Sequence, residues 1–560
     1  MKKFIKLLLV IITSIFILTG CDITSTNGET KKLDTPYLEY GTNSIIWDSI
    51  TNADEYLIYV DDVYLTKTNH AYFDDFELSG KTGMLYIIAS GDKSRFENSD
   101  ISNKINLADL ANVKSSYESK FLMINDTHGA FVDNQYPGVE RLASLIKQLG
   151  DEYIKIANGD ILQGSYISNI LCGYPMIDAL NNMNFNAYVI GNHEFDWGLE
   201  VMQAYQDGDK SNGEANFPFL GCNIIEKSTG QLPKGVKEYQ IIERGGLKIG
   251  IIGYIGYGIE EDIAVKMVEN YQFTYPTTAV ANVAKKLRTE ENVDVVIAVG
   301  HEGTGSNESI AALTGDSKVD AIINGHTHTR YSGTIKDKDG IDVPYIQTGS
   351  AGKYYGVIEL SINRDTKKVE GGTAVTKSNK TGAKSKNIEK IVDNLVEETA
   401  PVFKRVIGVA TREVTRYDGA SWAATALKDY ANADIAFINI GGIRAQAFPI
   451  KQGEEITVSK IYEIAPFDNA LKTVKLKGSD VKTLINLFTT SLNVTKDAIN
   501  DDIYIDGVKL EMDKEYLVAT IDYLFDNKDY PFYKGTDQVT TGILFKDILV
   551  DRVEKDQTIK

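Results

Sequence analysis

Five short apolar segments in the middle of the chain are each followed directly by a polar cluster. The clusters are, in order, Asn125-Asp126-Thr127-His128-Gly129, Asn158-Gly159-Asp160, Gly191-Asn192-His193-Glu194-Phe195-Asp196, Gly300-His301-Glu302 and Gly325-His326-Thr327-His328. The apolar segments alternate with stretches of helical spacing, for example residues 139–149, and this alternation predicts an α/β sandwich with several parallel strands. Because open α/β sheets bind ligands at the carboxyl ends of their strands, we expect the five clusters to converge on one place.

The residue types in these clusters indicate a divalent-metal site. Asp, His and Asn without Cys supply oxygen and nitrogen donors that suit Zn, Mn, Fe or Co. Asp126-x-His128 and His326-x-His328 can each give two ligands to one centre. Five of the chain's six histidines lie in the clusters, which is a concentration that scattered core histidines would not produce. We interpret the sixth, His70, as an ordinary structural residue.

The composition limits the classes of protein to which the chain can belong. It has 560 residues, of which 43% are hydrophobic and 24% are charged, and this is typical of a globular protein of about three or four domains. The formal net charge of −19 argues against a general nucleic-acid binder, because such a surface repels the phosphate backbone. We therefore expect no nucleic-acid polymer among its partners. Three cysteines cannot build a disulfide framework, and we predict that Cys172 and Cys222 are free thiols.

The first residues have the pattern of a secretory signal peptide. Three lysines precede an apolar run over residues 7–18, and the run ends in Leu18-Thr19-Gly20-Cys21. This pattern predicts a signal peptide over residues 1–20, with an uncleaved anchor helix as the alternative. The ending resembles the lipobox of bacterial lipoproteins, which implies lipidation of Cys21 and a protein anchored to the cell membrane on its extracellular or periplasmic side. Residues 21–33 then form a flexible tether.

Residues 34–108 have the pattern of a small all-β sandwich. Segments 44–47, 56–60 and 84–89 are rich in β-branched and aromatic residues, and turn-forming clusters separate them. Trp47, followed by Asn52-Ala53-Asp54-Glu55-Tyr56 and the third of these segments, resembles a fibronectin type III domain. Such a module suits a spacer that holds the rest of the chain away from a membrane. Ligand binding is the alternative role.

The ordered set of polar clusters resembles the motifs of the calcineurin-like metallophosphoesterases. The residue sequences of the first and third clusters resemble those of the 5′-nucleotidase branch, which includes the UDP-sugar hydrolases. The resemblance covers about residues 118–550. It implies a four-layer α/β/β/α metallophosphoesterase domain over residues 118–384, a connecting helix over residues 385–407 and an α/β C-terminal substrate-binding domain over residues 408–552. It also implies that the two domains rotate relative to each other during turnover.

The resemblance assigns roles to the residues at the strand ends. One divalent ion such as Zn, Mn or Co is expected on Asp126, His128, Asp160 and His328, and a second on Asp160, Asn192, His301 and His326, with Asp160 as the bridge. Related enzymes often have Gln where this chain has His328. His193 and Asp196 are expected to be the catalytic pair, in which Asp196 orients the imidazole. Capping of the following helix is a further role for Asp196 that is compatible with this one.

Two later loops resemble signatures of the family's C-terminal domain. They are Asn439-Ile440-Gly441-Gly442-Ile443-Arg444 and Pro466-Phe467-Asp468-Asn469. The resemblance implies that Arg444, with Arg412 and Arg416, binds phosphate or other anionic groups, for which a guanidinium fork is well suited. Phe467 and Tyr523 are expected to stack on a nucleobase, and Asn469 to contact its edge. Asp529 keeps the family's six-residue spacing from Tyr523, but the loop over residues 526–530 lacks the glycines that related enzymes have there.

Together these expectations define a reaction class. Two divalent ions about 3.5–4 Å apart polarise a phosphoryl oxygen and activate a bound water for in-line attack. We therefore predict an extracellular phosphohydrolase of the 5′-nucleotidase type. The first alternative is a nucleotide-sugar pyrophosphatase, a 2′,3′-cyclic-nucleotide phosphodiesterase or a sulfur-ester hydrolase on the same scaffold. The second is a surface-binding protein without catalysis, against which the intact set of ligand residues argues.

Overall fold

A computed structural model describes the chain except for residues 1–29, 41–43, 75–77, 79–80, 111–115, 131–137, 150–151, 210–212, 364, 380–384 and 498–499. The predicted signal peptide, the predicted lipidation site Cys21 and most of the predicted tether lie outside the described residues. No helix in the described part is long and apolar enough to cross a bilayer. Cys172 and Cys222 are free thiols, which confirms the sequence prediction.

The N-terminal region consists of short β-strands in two main sheets. A three-stranded sheet joins Glu39–Tyr40, Ser44–Ile46 and Tyr72–Asp74, and a four-stranded sheet joins Val63–Thr68, Glu55–Val60, Met84–Ser90 and Ile105–Asn106. A separate parallel pair joins Lys31–Lys32 to Phe96–Glu97. Trp47 and Tyr56 lie edge to face in the shared core, with ring centroids 5.1 Å apart. The β region is therefore present, and its likeness to fibronectin type III stays a prediction.

The next region contains a seven-stranded sheet. Its strands, in spatial order, are Val236–Lys237, Phe219–Leu220, Ala187–Val189, Tyr153–Asn158, Ser116–Ile124, Tyr354–Asn363 and Val369–Ser378. The first five strands are mutually parallel, and the last two are antiparallel to their neighbours. The central strands are buried along their whole length, as expected for apolar segments covered on both faces.

A six-stranded sheet faces the first one. Its strands, in spatial order, are Tyr239–Arg244, Leu247–Ile255, Val295–His301, Ala321–Ile323, Asp342–Thr348 and Arg330–Lys336. The four inner strands are parallel, and each edge strand is antiparallel. Ile156 of the first sheet and Ile297 of the second belong to one buried apolar cluster, so the two sheets pack directly on each other.

Helices cover the outer faces of this pair of sheets. Leu142 and Leu180 pack with the first sheet, and Val280 and Leu287 pack with the second. The helices of this region are Gly138–Leu149, Tyr166–Ile170, Tyr174–Asn182, Leu199–Ala204, Val265–Val268, Pro276–Thr289 and Asn307–Ala311. A short strand pair, Ile224–Glu226 with Tyr271–Phe273, completes it. The predicted four-layer α/β/β/α arrangement is confirmed.

The C-terminal region is a second α/β unit with its own apolar core. Its five-stranded sheet has the order Thr489–Thr490, Ile435–Ile438, Glu515–Ile521, Ala470–Lys477 and Thr536–Leu544. Two three-stranded sheets join Glu455–Thr457, Val406–Ala410 and Thr558–Ile559, and Val494–Lys496, Ile503–Ile505 and Val508–Lys509. Its helices are Arg416–Ala431, Val458–Ile464, Gly478–Leu487, Asp522–Phe525 and Phe545–Asp556. The predicted α/β class of this region is confirmed.

A single long helix, Lys386–Phe403, precedes the C-terminal unit. It ends four residues before the predicted limit, because Val406 already begins a strand that pairs with Glu455–Thr457. The helix Arg416–Ala431 has a capping box, in which the Thr415 side chain accepts from the Asp418 backbone and the Asp418 side chain accepts from the Thr415 backbone. This cap fixes the start of the helix at Arg416 and leaves Arg412 outside the helix.

Candidate metal centre and substrate cleft

The predicted metal ligands lie at the carboxyl ends of strands from both sheets. Asp126 and His128 follow Ser116–Ile124, Asp160 follows Tyr153–Asn158, and Asn192 follows Ala187–Val189. His301 ends a strand of the facing sheet, and His326 and His328 follow its neighbour Ala321–Ile323. Because the two sheets pack face to face with these ends at one edge, the five polar clusters meet, as the sequence predicts.

Most of these ligand candidates have a backbone conformation that is unusual for residues with a side chain. The positive φ angles are 50° at Asp126, 49° at His128, 54° at Asp160, 70° at His326 and 56° at His328. Each such residue costs roughly 1–3 kcal/mol, and such conformations cluster at functional sites. The surrounding fold therefore holds these five residues in a strained conformation that brings their side chains together.

The first ligand cluster contains Asp126, His128, Asp160 and His328. One potential ligand atom from each lies within 4.8 Å of the others. Nε2 of His128 is 2.9 Å from Nε2 of His328, and the latter is 3.5 Å from Oδ1 of Asp126. That Asp126 oxygen is buried and has no hydrogen-bond partner in the described part of the chain. A divalent cation fits this set of donors. It would give the unpartnered Asp126 oxygen a partner, and it would lie between the Nε2 atoms of His128 and His328.

The electrostatic surroundings keep the imidazoles of this cluster neutral. Burial, together with the charge of Arg444, holds the pKa of His128 well below its usual value. Burial and nearby Arg444 also lower the pKa of His328 to about 4. Burial raises the pKa of Asp126 to about 7, to which the charge of Asp160 adds. Neutral imidazoles are the form that binds metals, and carboxylates crowded in this way are stabilised by a bound cation.

The second ligand cluster contains Asp160, His301 and His326, again with ligand atoms within 4.8 Å of one another. Oδ1 of Asn192 completes it, 3.2 Å from Nε2 of His301 and 3.0 Å from Nδ1 of His326. Nε2 of His301 lies 3.2 Å from Oδ2 of Asp160. Since Asp160 belongs to both clusters, its carboxylate is placed where a bridging ligand would be.

Glu194, for which the sequence predicts no role, fixes the backbone around Asp160. Its buried carboxylate accepts hydrogen bonds from the backbone N–H groups of Asp160 at 2.8 Å, Gly191 at 2.8 Å and Ile161 at 3.1 Å. The Tyr188 hydroxyl donates a fourth at 2.5 Å. The sequence signal that could have identified Glu194 as a functional residue is its position inside the Gly-Asn-His-Glu-Phe-Asp motif, between Asn192 and Asp196.

The predicted catalytic pair is formed. Nδ1 of His193 is 2.9 Å from Oδ2 of Asp196, and the backbone N–H of His193 donates to Oδ1 of Asp160 at 2.9 Å. Burial opposes the charged imidazole, yet Asp196 and Asp160 raise the pKa of His193 above its ordinary value. The further role considered for Asp196, as a helix cap, is wrong. The helix Leu199–Ala204 has Gly198 at its N-cap position, because the 3₁₀ turn His193–Phe195 places Asp196 too early.

A cavity of about 290 Å³ lies between the region that contains the seven-stranded and six-stranded sheets and the C-terminal unit. We call this cavity the cleft. Its first wall includes Asp160, Asn192, His193, Asp196, His326 and His328. Its second wall includes Asn439, Gly442, Arg444, Phe467, Asn469 and Tyr523. The structure therefore brings most of the predicted substrate residues to the predicted metal residues.

Arg444 spans the two walls of the cleft. Its Nη2 donates to Oε1 of Gln163 at 2.7 Å and lies 3.5 Å from Nε2 of His193. Its guanidinium lies 4.8 Å from the centroid of the Phe467 ring. Nε of Arg444 is buried, as is Oδ1 of Asn439, and neither has a hydrogen-bond partner among the described residues. These unsatisfied groups indicate a polar ligand in the cleft.

Three of the predicted substrate residues do not line the cleft. Arg416 donates to the carbonyls of Ile443 at 2.7 Å and Ile440 at 2.8 Å, so it braces the loop that carries Arg444. Arg412 pairs with Asp418 at 3.0 Å. Asp529 lies on a neighbouring groove. Local structure accounts for the position of Arg412. The capping box starts the helix at Arg416, so Arg412 lies outside the helix and beside Asp418.

Several residues that line the cleft were not singled out from the sequence. They are Asp262, Lys266, Asp468, Asp522 and Asp526. Asp262 and Lys266 come from residues 258–268, which carry no motif, and an acidic run such as Glu260-Glu261-Asp262 is typical of a solvated surface. Lys266 lies 3.7 Å from Asp526 across the cleft. Only the tertiary structure places this segment opposite the C-terminal unit.

Comparison with known proteins agrees with this geometry. Residues 119–330 match the calcineurin-like phosphoesterase family, and residues 404–535 match the 5′-nucleotidase C-terminal domain family. Endonuclease YhcR of Bacillus subtilis is 26% identical over a 441-residue alignment that covers 71% of this chain and 34% of that protein. The chain thus spans about a third of that relative.

Two further similar proteins are matched over nearly their whole length. The 5′-nucleotidase of Vibrio cholerae is 25% identical over a 521-residue alignment that covers 79% of this chain and 91% of that protein. The crystal structure of the 5′-nucleotidase precursor from Thermus thermophilus has the same fold, with a TM-score of 0.65 at 20% identity over 79% of this chain and 97% of that one. The chain therefore combines a region that matches the calcineurin-like phosphoesterases with a region that matches the 5′-nucleotidase C-terminal domain, and these similarities support a metal-dependent phosphoester hydrolase.

Proposed function

We propose that this protein removes phosphate from nucleotides as a dinuclear-metal 5′-nucleotidase. The observation that carries the proposal is the shared cleft, which has members of both ligand clusters and His193 on one wall and Arg444, Phe467 and Tyr523 on the other. A nucleotide has a phosphate that suits cations and a base that suits aromatic rings. One nucleotide can therefore engage both walls at once.

The ligand clusters would hold two divalent cations. Asp126, His128, Asp160 and His328 would hold one, and Asp160, Asn192, His301 and His326 the other. When bound, such ions supply Lewis-acid activation of the phosphoryl group and of the attacking water. The orphaned Asp126 oxygen and the oxygen and nitrogen donor set support this assignment.

His193 and Arg444 would act on the phosphoryl group. The Asp196 carboxylate accepts from Nδ1 of His193, so Nε2 faces the cleft and can donate to a phosphoryl or leaving-group oxygen. Nη2 of Arg444 faces the same nitrogen at 3.5 Å. Two nitrogen donors this close favour an anionic oxygen between them, because that oxygen accepts from both.

The base would lie toward Tyr523 and Phe467. Tyr523 lines the cleft and its hydroxyl donates to the carbonyl of Glu261 at 3.3 Å, so the ring is held at the domain boundary. Asn469 lies in the same wall and can contact a base edge. Stacking tolerates every base, at about 1–3 kcal/mol per base, so these residues favour nucleotides as a class.

A substrate panel tests the proposal. The purified chain is incubated with AMP, UMP, UDP-glucose or 2′,3′-cyclic AMP in the presence of Mn²⁺, Co²⁺, Zn²⁺ or Ca²⁺, and products are separated by ion-exchange chromatography. We expect nucleoside and phosphate from the monophosphates at the highest kcat/KM. Cleavage of UDP-glucose to UMP and glucose 1-phosphate without hydrolysis of AMP would instead support the nucleotide-sugar pyrophosphatase, and ring opening of the cyclic nucleotide alone would support the phosphodiesterase.

The same experiment separates catalysis from binding. A surface-binding protein without catalysis would turn over none of the substrates, even when loaded with metal. The intact ligand clusters and the His193–Asp196 pair favour catalysis, because a decayed site is under no constraint to keep strained ligands together.

We further propose that the protein works outside the cytoplasm, attached to the membrane through Cys21. The signal-peptide pattern and the lipobox-like ending support this location. Listeria monocytogenes has a cell wall protein that is 23% identical over 463 residues. The N-terminal β region then acts as a spacer. Labelling of cells with a radioactive fatty acid, with a Cys21→Ala variant as the control, tests the anchor.

A further inference from the structure

Asp262 is a cleft residue for which neither the metal assignment nor the substrate assignment provides a role. It ends the 3₁₀ helix Ile259–Asp262, and 54% of its side chain is exposed. Its Oδ2 lies 3.3 Å from Nε2 of His326. The other ring nitrogen of His326, Nδ1, lies 3.0 Å from Oδ1 of Asn192. The imidazole therefore stands between the second ligand cluster and the Asp262 carboxylate.

The imidazoles of His128 and His301 have the same arrangement. One ring nitrogen faces the ligand clusters, and the other contacts an oxygen atom. Nδ1 of His128 is 3.1 Å from the carbonyl oxygen of Gln163, and Nδ1 of His301 is 3.0 Å from that of Asn158. An oxygen on the far nitrogen fixes both the tautomer and the orientation of a metal-binding imidazole. For His326, Asp262 provides that oxygen from a side chain.

The segment that carries Asp262 is held from two sides. Ile259 and Ile263 are buried in the core of the metallophosphoesterase region, and the Glu260 carboxylate accepts from the backbone N–H of Phe273 at 2.6 Å. On the other side, the Glu261 carbonyl accepts from the Tyr523 hydroxyl. Although the Asp262 carboxylate is partly exposed, its backbone is therefore fixed, so the carboxylate can act as a stable support.

We propose that Asp262 is a positioning residue that orients His326 toward the second metal ion. With the proton on Nε2 shared with Asp262, Nδ1 presents its lone pair to the ligand cluster formed with Asn192, His301 and Asp160. The inference rests on the proposed function in assuming that the clusters bind metal, and it concerns the affinity for one ion and not the choice of substrate.

Metal binding to the apoprotein tests the inference without reference to activity. The full chain is stripped with a chelator and dialysed, and Mn²⁺ is titrated by isothermal calorimetry, with bound metal counted by mass spectrometry. Asp262→Ala and Asp262→Asn are compared with wild type and with Asp316→Asn, an exposed aspartate of the same domain. Circular dichroism and Tm show that each variant is folded.

We expect two Mn²⁺ ions per wild-type chain and per Asp316→Asn chain. Asp262→Ala should lower the affinity for one ion by about 10–100-fold and leave the other unchanged, as loss of such a supporting oxygen typically does. Asp262→Asn should lie between, because its amide oxygen still accepts from Nε2 without the charge. Wild-type binding in Asp262→Ala, or equal weakening of both ions, would overturn the inference. A wild-type chain that binds no metal would instead overturn the proposed function.

Discussion

The Phe467 ring stacks on the His193 ring, with centroids 5.6 Å apart and an interplanar angle of 25°. Phe467 belongs to the C-terminal unit, and His193 lies on the wall that carries the candidate metal ligands. The aromatic side chain expected to stack on a base therefore contacts the imidazole that we propose to be catalytic. Arg444 lies 4.8 Å from the centroid of the same ring. Because the Phe467 ring already packs on His193, we expect the two walls to move relative to each other when a base stacks on that face of the ring.

His193→Ala should separate catalysis from metal binding. Its Nδ1 is engaged by Asp196 and its Nε2 lies 4.0 Å from Oδ2 of Asp160, so it is adjacent to the ligand clusters without belonging to them. We expect kcat to fall by about 100-fold or more, which is typical for loss of a positioned acid or base. Metal content measured by mass spectrometry should stay at the wild-type level. Near-normal turnover in this variant would remove His193 from the catalytic role.

Removal of the metal ions should lower both activity and stability. Asp126 and Asp160 are buried close together, and ions that bind only the folded state stabilise it by about 2.7 kcal/mol at a concentration 100 times Kd. We expect a chelator to abolish turnover and lower Tm, and Mn²⁺ to restore both. An Asp126→Asn variant provides the control, because its Tm should respond less to the chelator. If the chelator left the wild-type Tm unchanged, this result would argue against ions that bind and stabilise the folded state.

The convergence of the candidate metal ligands could be predicted from the sequence because these residues follow apolar strands directly. Parallel β topology forces strand ends together, so position along the chain was enough to place Asp126, Asp160 and His301 at one site. The left-handed backbone at Asp126 and His128 could not be predicted in this way. Such a conformation is imposed by hydrogen bonds from distant segments, for example from the backbone N–H of His128 to the carbonyl of Asp160.

The second wall was harder to predict, because its contacts depend on how two separately folded units meet. Arg412 and Arg416 are four residues apart, and this spacing suggests one helical face. The capping box at Thr415 places them on different sides of the helix start, and Asp418 then pairs with Arg412. Asp262 and Lys266 could not be found at all, since a charged segment without a motif gives no sign that another domain covers it.

Tyr523 should affect nucleotides and simple phosphoesters differently. Loss of the ring removes a stacking surface worth about 1–3 kcal/mol, so Tyr523→Ala should raise KM for AMP by about 5–150-fold. Hydrolysis of p-nitrophenyl phosphate, which has no base, should change much less. Tyr523→Phe is the matched control, because it keeps the ring and loses only the hydroxyl contact with Glu261. Equal losses on both substrates would contradict a base-stacking role.

The three arginines should differ in their effects. Arg444→Lys should lower kcat/KM strongly, because a lysine cannot contact Gln163 and an anion with the same fork. Arg416→Ala should lower it less, through loosening of the 439–444 loop that its side chain braces. Arg412→Ala should leave kcat/KM for AMP close to wild type, since its exposed guanidinium pairs with Asp418 outside the cleft. A loss with Arg412→Ala as large as that with Arg444→Lys would show that Arg412 reaches the substrate.

A covalent link between the walls should stop turnover if domain rotation is required. Nδ2 of Asn169, in the helix Tyr166–Ile170, donates to the carbonyl of Pro466 at 3.2 Å, so Asn169→Cys with Pro466→Cys introduces two thiols at residues that already touch between this helix and the Phe467 loop. We expect the oxidised double variant to lose most activity toward AMP and to recover it on reduction, while it still binds metal. Each single variant controls for loss of the native side chain. Unchanged rates in the oxidised form would mean that a base reaches Tyr523 and the metals without displacement of Phe467 from His193.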